Sequence, residues 1–385
     1  MNTTAHRSST PRAVALPLAR RAIAIMLAAA ASSLLTVAVA QAAAPADTST
    51  LVREGNRYYA QGDCALAQYF FQEALKRDDD SAEALVGKGR SLLCQNAYSA
   101  AVDALRNAIE VDDAYVPGYV HLALAYQEQF VFDPASYGGR LSDALEVLQR
   151  AENLSPNDPT VQNTKGIVLY QAGNLDQART TLERATELAA AAEMSERERS
   201  TIQVNLGRAY RELGQLELAQ QAFRRGVVLD PSSATAHNNL GNVMYRLGDC
   251  SGAEFELSQA VSLAPNSLSA VSSLAIAMFE CGDVAGSIPR FEQALQLDGA
   301  VFVPAVFTYL ARAYVDQGRL DDAVRRAQQG ALLPPESAEA HYHLGTVYDA
   351  RRAPGDVEAA RRAFERALEL DSEYGPAREA LTNLR

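Results

Sequence analysis

The residues best able to do chemistry in this 385-residue chain are its four cysteines, its histidines and a cluster of asparagines and arginines near "HNNLGNVMYRLGDC". The cysteines stand as Cys64 with Cys94 and Cys250 with Cys281, 30 and 31 residues apart. No CxxC or CxxCH occurs and no close Cys or His spacing is present, so a metal site is poorly supported. His341 and His343 lie two apart and point in different directions on a helix, a poor metal pair. No glycine-rich phosphate loop and no G-x-S-x-G elbow is present. No catalytic residue, metal site or cofactor is therefore expected, and the chain is not expected to be an enzyme.

The first 44 residues differ from the rest. Arg7, Arg12, Arg20 and Arg21 precede an uncharged run from Ala22 to Ala40, and no acid appears before Asp47. This is the layout of an export signal. Small-x-small triplets at Ala38 to Ala40, Ala40 to Ala42 and Ala42 to Ala44 place the mature start between 41 and 45. The alternative is an uncleaved anchor, the one route by which this chain would hold a membrane. Removing four Arg from a chain of formal charge −12 leaves −16, which argues against nucleic acid and anionic membrane surfaces. With 48% hydrophobic residues, many of them Ala, and no Trp, the composition suits closely spaced helices.

The elements that must position these residues repeat. "LGRAYRELGQLELAQQAF" from Leu206 and "LGNVMYRLGDCSGAEFEL" from Leu240 are offset by 34 residues. Small residues recur at Gly55, Gly89, Ala123, Gly166, Gly207, Gly241, Ala275, Ala311 and Gly345, and bulky ones three later, as at Tyr58, Tyr126, Tyr210, Tyr314 and Tyr348. Pro156, Pro231, Pro265 and Pro335 close the units. The chain thus resembles the tetratricopeptide repeat family, whose unit is a pair of antiparallel helices. The resemblance implies an all-α fold: a right-handed α-solenoid of about nine stacked repeats with a C-terminal capping helix. Repeats are read at 48–81, 82–115, 116–158, 159–192, 200–233, 234–267, 268–301, 304–337 and 338–374, within a solenoid over 45–385 capped by 375–385.

In that frame the first cysteine of each pair begins a second helix and the other ends the first helix of the next repeat. These places are neighbours in a stacked array, so two disulfides are expected, with four buried thiols as the alternative. "SERE" from Ser195 reads as a capping box that opens a helix. Repeat three carries about nine extra residues, "QFVFDPASYGG", expected to form a loop over 129–139 that displays Phe130, Phe132 and Tyr137 to a partner or folds them back on a neighbour.

The resemblance further implies that first helices line a concave groove for a peptide. Apolar positions expected to face it are Val52, Tyr59, Val86, Leu93, Val120, Leu124, Ile167, Tyr170, Val204, Ile276, Phe279 and Tyr342, the alternative being that several of them pack against adjacent helices. Repeats five and six supply the candidate contacts: Asn205, Arg208, Arg211, Asn238, Asn239, Asn242, Tyr245 and Arg246. Asn205 and Asn239 resemble a short asparagine ladder for a ligand backbone, since an amide both donates and accepts. The expected function is a non-enzymatic scaffold for protein or peptide partners, with no nucleic acid and no small-molecule substrate, exported to a bacterial periplasm or exterior and aiding assembly of an envelope complex. The alternative is an accessory subunit of an enzyme or secretion complex, binding through the outer face and the 129–139 loop.

Overall fold

A computed structural model describes residues 47–297, 299 and 303–384. The expected export segment, 1–44, lies outside them. The described residues form nineteen α-helices and no strand. They divide into two compact units, with the boundary in the chain between Tyr115 and Val116.

The first unit holds α1 (Thr48–Ala60), α2 (Cys64–Leu75), α3 (Ala82–Cys94) and α4 (Tyr98–Val111). The second begins with α5 (Val116–Phe132), α6 (Arg140–Leu154), α7 (Pro159–Gln171), α8 (Leu175–Ala191), α9 (Glu196–Glu212), α10 (Leu216–Leu229), α11 (Ala234–Arg246) and α12 (Cys250–Leu263). It continues through α13 (Leu268–Glu280), α14 (Val284–Ala294), α15 (Pro304–Asp316), α16 (Leu320–Ala331), α17 (Ala338–Arg351), α18 (Asp356–Leu370) and the terminal α19 (Gly375–Asn383).

Short polar residues start these helices by accepting from orphan N–H groups of the first turn. Asp47, Ser81, Asp158, Ser233, Ser267 and Ser337 each cap a first helix in this way. Ser195 and Glu198 form the reciprocal capping box at α9 that "SERE" announces. The turn joining the two helices of a repeat needs one residue with positive φ. Gly214 fills it at 73°, and Asn96 fills it at 59° where the second repeat lacks glycine.

The core is a series of large second-helix side chains driven against first-helix glycines. Phe223 on α10 is fully buried, and a Cβ added to Gly207 of α9 would sit 2.6 Å from its ring. Leu182 stands over Gly166 and Leu257 over Gly241 in the same manner. Phe71 lies between Gly55 of its own repeat and Gly87 of the next, so one ring joins two repeats. Within each unit consecutive first helices pack on one another, whereas second helices pack on their own first helix and the following one. That asymmetry makes the first-helix side the inner face of each unit.

Repeat three departs from expectation. Residues 129–132 are not loop: α5 runs unbroken to Phe132, and only 133–139 is irregular. Nothing in "QFVF" breaks a helix until Asp133 precedes Pro134, where the proline ring pushes Asp133 out of helical geometry. Gln129 is buried on the added turn and Gln127 just before it, while Phe130 is half-buried and Phe132 is 68% exposed. Tyr137 is half-buried, with the Arg140 guanidinium 6.0 Å from its ring and 4.8 Å from that of Tyr126.

The glycine-ring contact makes a direct test. Gly207→Ala gains about 1 kcal/mol of helix propensity, yet the methyl must displace Phe223, and overpacking of this kind costs about 1–3 kcal/mol. Urea unfolding should therefore show a net loss for Gly207→Ala, partly restored when Phe223→Leu is added.

Candidate functional site

The candidate amides and arginines lie on the inner faces of α9 and α11, and the structure engages most of them with one another. Asn205 donates through Nδ2 to Asn163 Oδ1 on α7 at 3.0 Å. The Arg208 guanidinium lies 5.0 Å from the Tyr170 ring centroid. Both border a cleft with Ile167, Tyr170 and Leu182 of about 10 Å³, room for roughly one water. A ligand there would lie across the surface.

Arg211 donates to Asn239 Oδ1 at 3.1 Å and pairs with Glu212 at 2.9 Å. Asn239, only 9% exposed, spends its own Nδ2 on Thr235 O of the preceding turn. Asn242 donates to Asn238 O at 2.8 Å and to Ser273 Oγ on α13 at 3.1 Å. Asn238 donates to Ser269 Oγ, and its buried Oδ1 has no hydrogen-bond partner. Tyr245 is half-buried against the α13–α15 core and Arg246 is exposed. Burial first, then the nearby Glu280, pushes the Tyr245 phenol above its ordinary range.

Asn163, Ser269 and Ser273 extend this polar row in both directions and were not among the expected contacts. A second cluster was also missed. Arg312 on α15 pairs with Glu280 at 3.2 Å and lies 4.8 Å from the Phe279 ring and 5.0 Å from that of Tyr309. The available signal was register, because Arg312 occupies the repeat position that Arg208 and Asn242 hold earlier.

The apolar expectation needs correction. Val52, Val86, Val120, Val204 and Phe279 are 3–7% exposed and belong to the packing, not to an open groove. Tyr59, Leu93, Leu124, Ile167, Tyr170, Ile276 and Tyr342 remain partly exposed. The reason is that neighbouring first helices touch, so a residue leaning sideways from the inner face is covered.

Each cysteine pair is at disulfide distance. Cys64 opens α2 and Cys94 closes α3, with Cα atoms 6.1 Å apart; Cys250 opens α12 and Cys281 caps α13, 5.8 Å apart. Both separations fall inside the usual 4.4–6.8 Å range. His237 is engaged by Glu256 at 2.6 Å and by Pro231 O at 3.1 Å, and His341 by Glu336 at 3.0 Å. Among the described residues no group of three or more His, Cys, Asp or Glu is placed to hold a metal, and no helix is long and apolar enough to cross a membrane.

Stacked helix pairs with a shared inner face define a repeat scaffold. The family model for the cilia and flagella-associated protein 70 C-terminal domain matches residues 120–381, and a tetratricopeptide repeat model matches 52–116. The chain belongs to the tetratricopeptide repeat family. Among solved structures, it is similar to the APC/C hetero-tetramer Cut9-Hcn1, at 16% identity and TM-score 0.59, over 87% of this chain and 65% of that one. The human IFIT1 dimer with m7Gppp-AAAA is similar at 17% identity and TM-score 0.54, over 84% and 82%. A tetratricopeptide repeat protein from Parabacteroides merdae matches at 19% identity and TM-score 0.50, over 69% and 98%. These likenesses show the fold. In sequence, a probable UDP-N-acetylglucosamine–peptide N-acetylglucosaminyltransferase SPINDLY of Hordeum vulgare is 27% identical over 129 residues. That stretch is 34% of this chain and 13% of the transferase. The fold is generally a non-catalytic scaffold whose members bind protein or peptide partners.

Two measurements follow from this geometry. A disulfide closing a loop of this length contributes roughly 3–4 kcal/mol in the chain-entropy model. Dithiothreitol, or Cys250→Ser with Cys281→Ser, should lower the melting temperature, and thiol titration of the denatured, unreduced protein should find none free. His343 supplies a pH dependence. Burial holds its imidazole below the ordinary value of 6.5; Glu339 opposes this, and Arg312 adds to the lowering. A base depressed in the fold is protonated first in the unfolded chain, so stability falls as pH drops through and below about 6.5. The loss between pH 7 and pH 5, read by thermal melts, should be smaller in His343→Gln.

Proposed function

We propose that the protein is an exported scaffold that holds an extended peptide segment of a partner on the inner face of α7 to α13. The observation that carries this reading is the row of amide, guanidinium and hydroxyl side chains, Asn163–Asn205, Arg211–Asn239, Asn238–Ser269 and Asn242–Ser273, which crosses four consecutive first helices. Such groups can exchange bonds with one another for bonds to a peptide backbone, whose N–H and C=O need both kinds of partner. The buried, unpartnered Oδ1 of Asn238 would accept a backbone N–H. Arg208 is engaged through a ring face, which leaves its donors available to a carboxylate.

Export is supported by the arginine-led apolar segment before residue 45 and by the two cysteine pairs at disulfide distance. We place the scaffold in the assembly of an envelope complex of a bacterium, its mature form beginning between 41 and 45. The accessory-subunit reading is favoured by one observation, the 68% exposure of Phe132 beside the 133–139 turn.

Affinity capture with the full chain from extracts of its own cells separates the two. The wild type should retain a partner that the Asn205→Ala, Arg208→Ala, Asn242→Ala variant recovers at least about tenfold less well, as expected when charge-assisted bonds of about 1.5–3 kcal/mol are removed. Equal recovery by that variant, with loss on deletion of residues 133–139, would replace the inner-face reading by the accessory one.

A further inference from the structure

The inner face is not where the unpaired positive charge collects. Arg199 and Gln203 of α9, with Gln221, Arg224, Arg225, Val228 and Leu229 of α10, line a cleft of about 460 Å³. This is within the 300–1,000 Å³ range of ligand sites. Gln203 and Asn205 are two residues apart on α9, hence about 200° apart around it. The cleft therefore opens on the side of α9 opposite the amide row.

Three features give its chemistry. Arg199, Arg224 and Arg225 form no ion pair within 4.0 Å among the described residues, although the chain carries −12 and many of its other arginines, such as Arg179, Arg351 and Arg366, are paired with acids. No carboxylate lines the cleft, so the three guanidinium groups repel one another until an anion arrives. Gln203 is 7% exposed and its Oε1 has no hydrogen-bond partner, a buried acceptor awaiting a donor. Val228, 73% exposed, provides an apolar shelf beside the arginines.

We propose that this cleft is a second recognition site, taking an acidic peptide segment of a protein partner. Carboxylates would pair with the arginines, a backbone N–H would donate to Gln203 Oε1, and an apolar side chain would rest on Val228 and Leu229. Inorganic phosphate fits less well, because it carries no apolar group to rest on Val228 and Leu229.

The test uses fluorescence anisotropy of a fluorescein-labelled heptapeptide alternating Glu and Leu, added to the full chain. Binding should weaken at least about tenfold in Arg224→Gln with Arg225→Gln, the loss expected for charge-assisted bonds. It should also weaken in Val228→Asp, which sets a carboxylate on an exposed shelf at little risk to folding. The loss should be the same when measured in the Arg208→Ala, Asn242→Ala background, which removes the inner-row contacts, and binding of a Lys-Leu heptapeptide should be unchanged by Arg224→Gln with Arg225→Gln. Equal binding by the arginine variant overturns the proposal, as does an absence of binding. Displacement of the peptide by inorganic phosphate at equal concentration would reduce the cleft to a simple anion site. Sedimentation showing a wild-type dimer that the arginine variant loses, with the peptide without effect, would assign the cleft to a second copy of the chain.

Discussion

The contact on which this protein depends is the ring or branched aliphatic of a second helix seated on a glycine of a first helix. Without a Cβ at Gly207 the α9 backbone comes close enough for Phe223 to fill the space between the helices completely. The same arrangement recurs at Gly166 with Leu182, Gly241 with Leu257 and Gly345 with Phe364. Dispersion and burial are short-ranged, so a displacement of a methyl's width forfeits much of each contact. Each repeat's helix crossing is therefore set by one small residue and one large one.

From that constraint the inner face follows. Phe71 touches both Gly55 and Gly87, so the contact that closes one repeat also seats the next. Within each unit first helices then come into contact in series, which covers side chains such as Val204. The cysteine pairs sit on this same junction between a second helix and the following first helix, at Cys64 with Cys94 and Cys250 with Cys281. A covalent tie there reinforces the contact between neighbouring repeats on which a stacked array depends.

Legibility in the sequence tracks how local each determinant is. Helix starts at Ser195 or Ser233 and turns at Gly214 or Gly248 are decided by neighbours within a few residues, and the repeat register exposes them. The cysteine placement was equally legible, because register alone names the adjoining helix ends. Repeat three was misread because the extra residues were assigned to a loop from length alone, whereas "QFVF" has no helix breaker and its glutamine finds burial on the added turn. Which of the inner-face residues would be covered was left open for a different reason. Helical period tells which way a side chain points but not how near the next helix comes. The bonding among Asn163, Asn205, Ser269 and Ser273 depends on separations of about one repeat, and only the stacked geometry closes them.

Because the helices of a repeat are amphipathic in two senses, one element can serve two surfaces without conflict. On α9 the strip bearing Asn205 and Arg208 faces the inner row, while Arg199 and Gln203 face the cleft against α10. Between them lies the buried stripe of Leu206, Gly207 and Ala209 that holds the fold. The low dielectric of that packed layer insulates neither charge perfectly, but the solvent on each side screens within about 8–10 Å at physiological salt. On the proposed reading, the amides of the inner row would recognise a backbone almost irrespective of its side chains, and the arginines of the cleft would recognise charge almost irrespective of backbone conformation. A scaffold with one surface of each kind can hold two segments of differing chemistry at a separation fixed by a single helix diameter of about 10–12 Å.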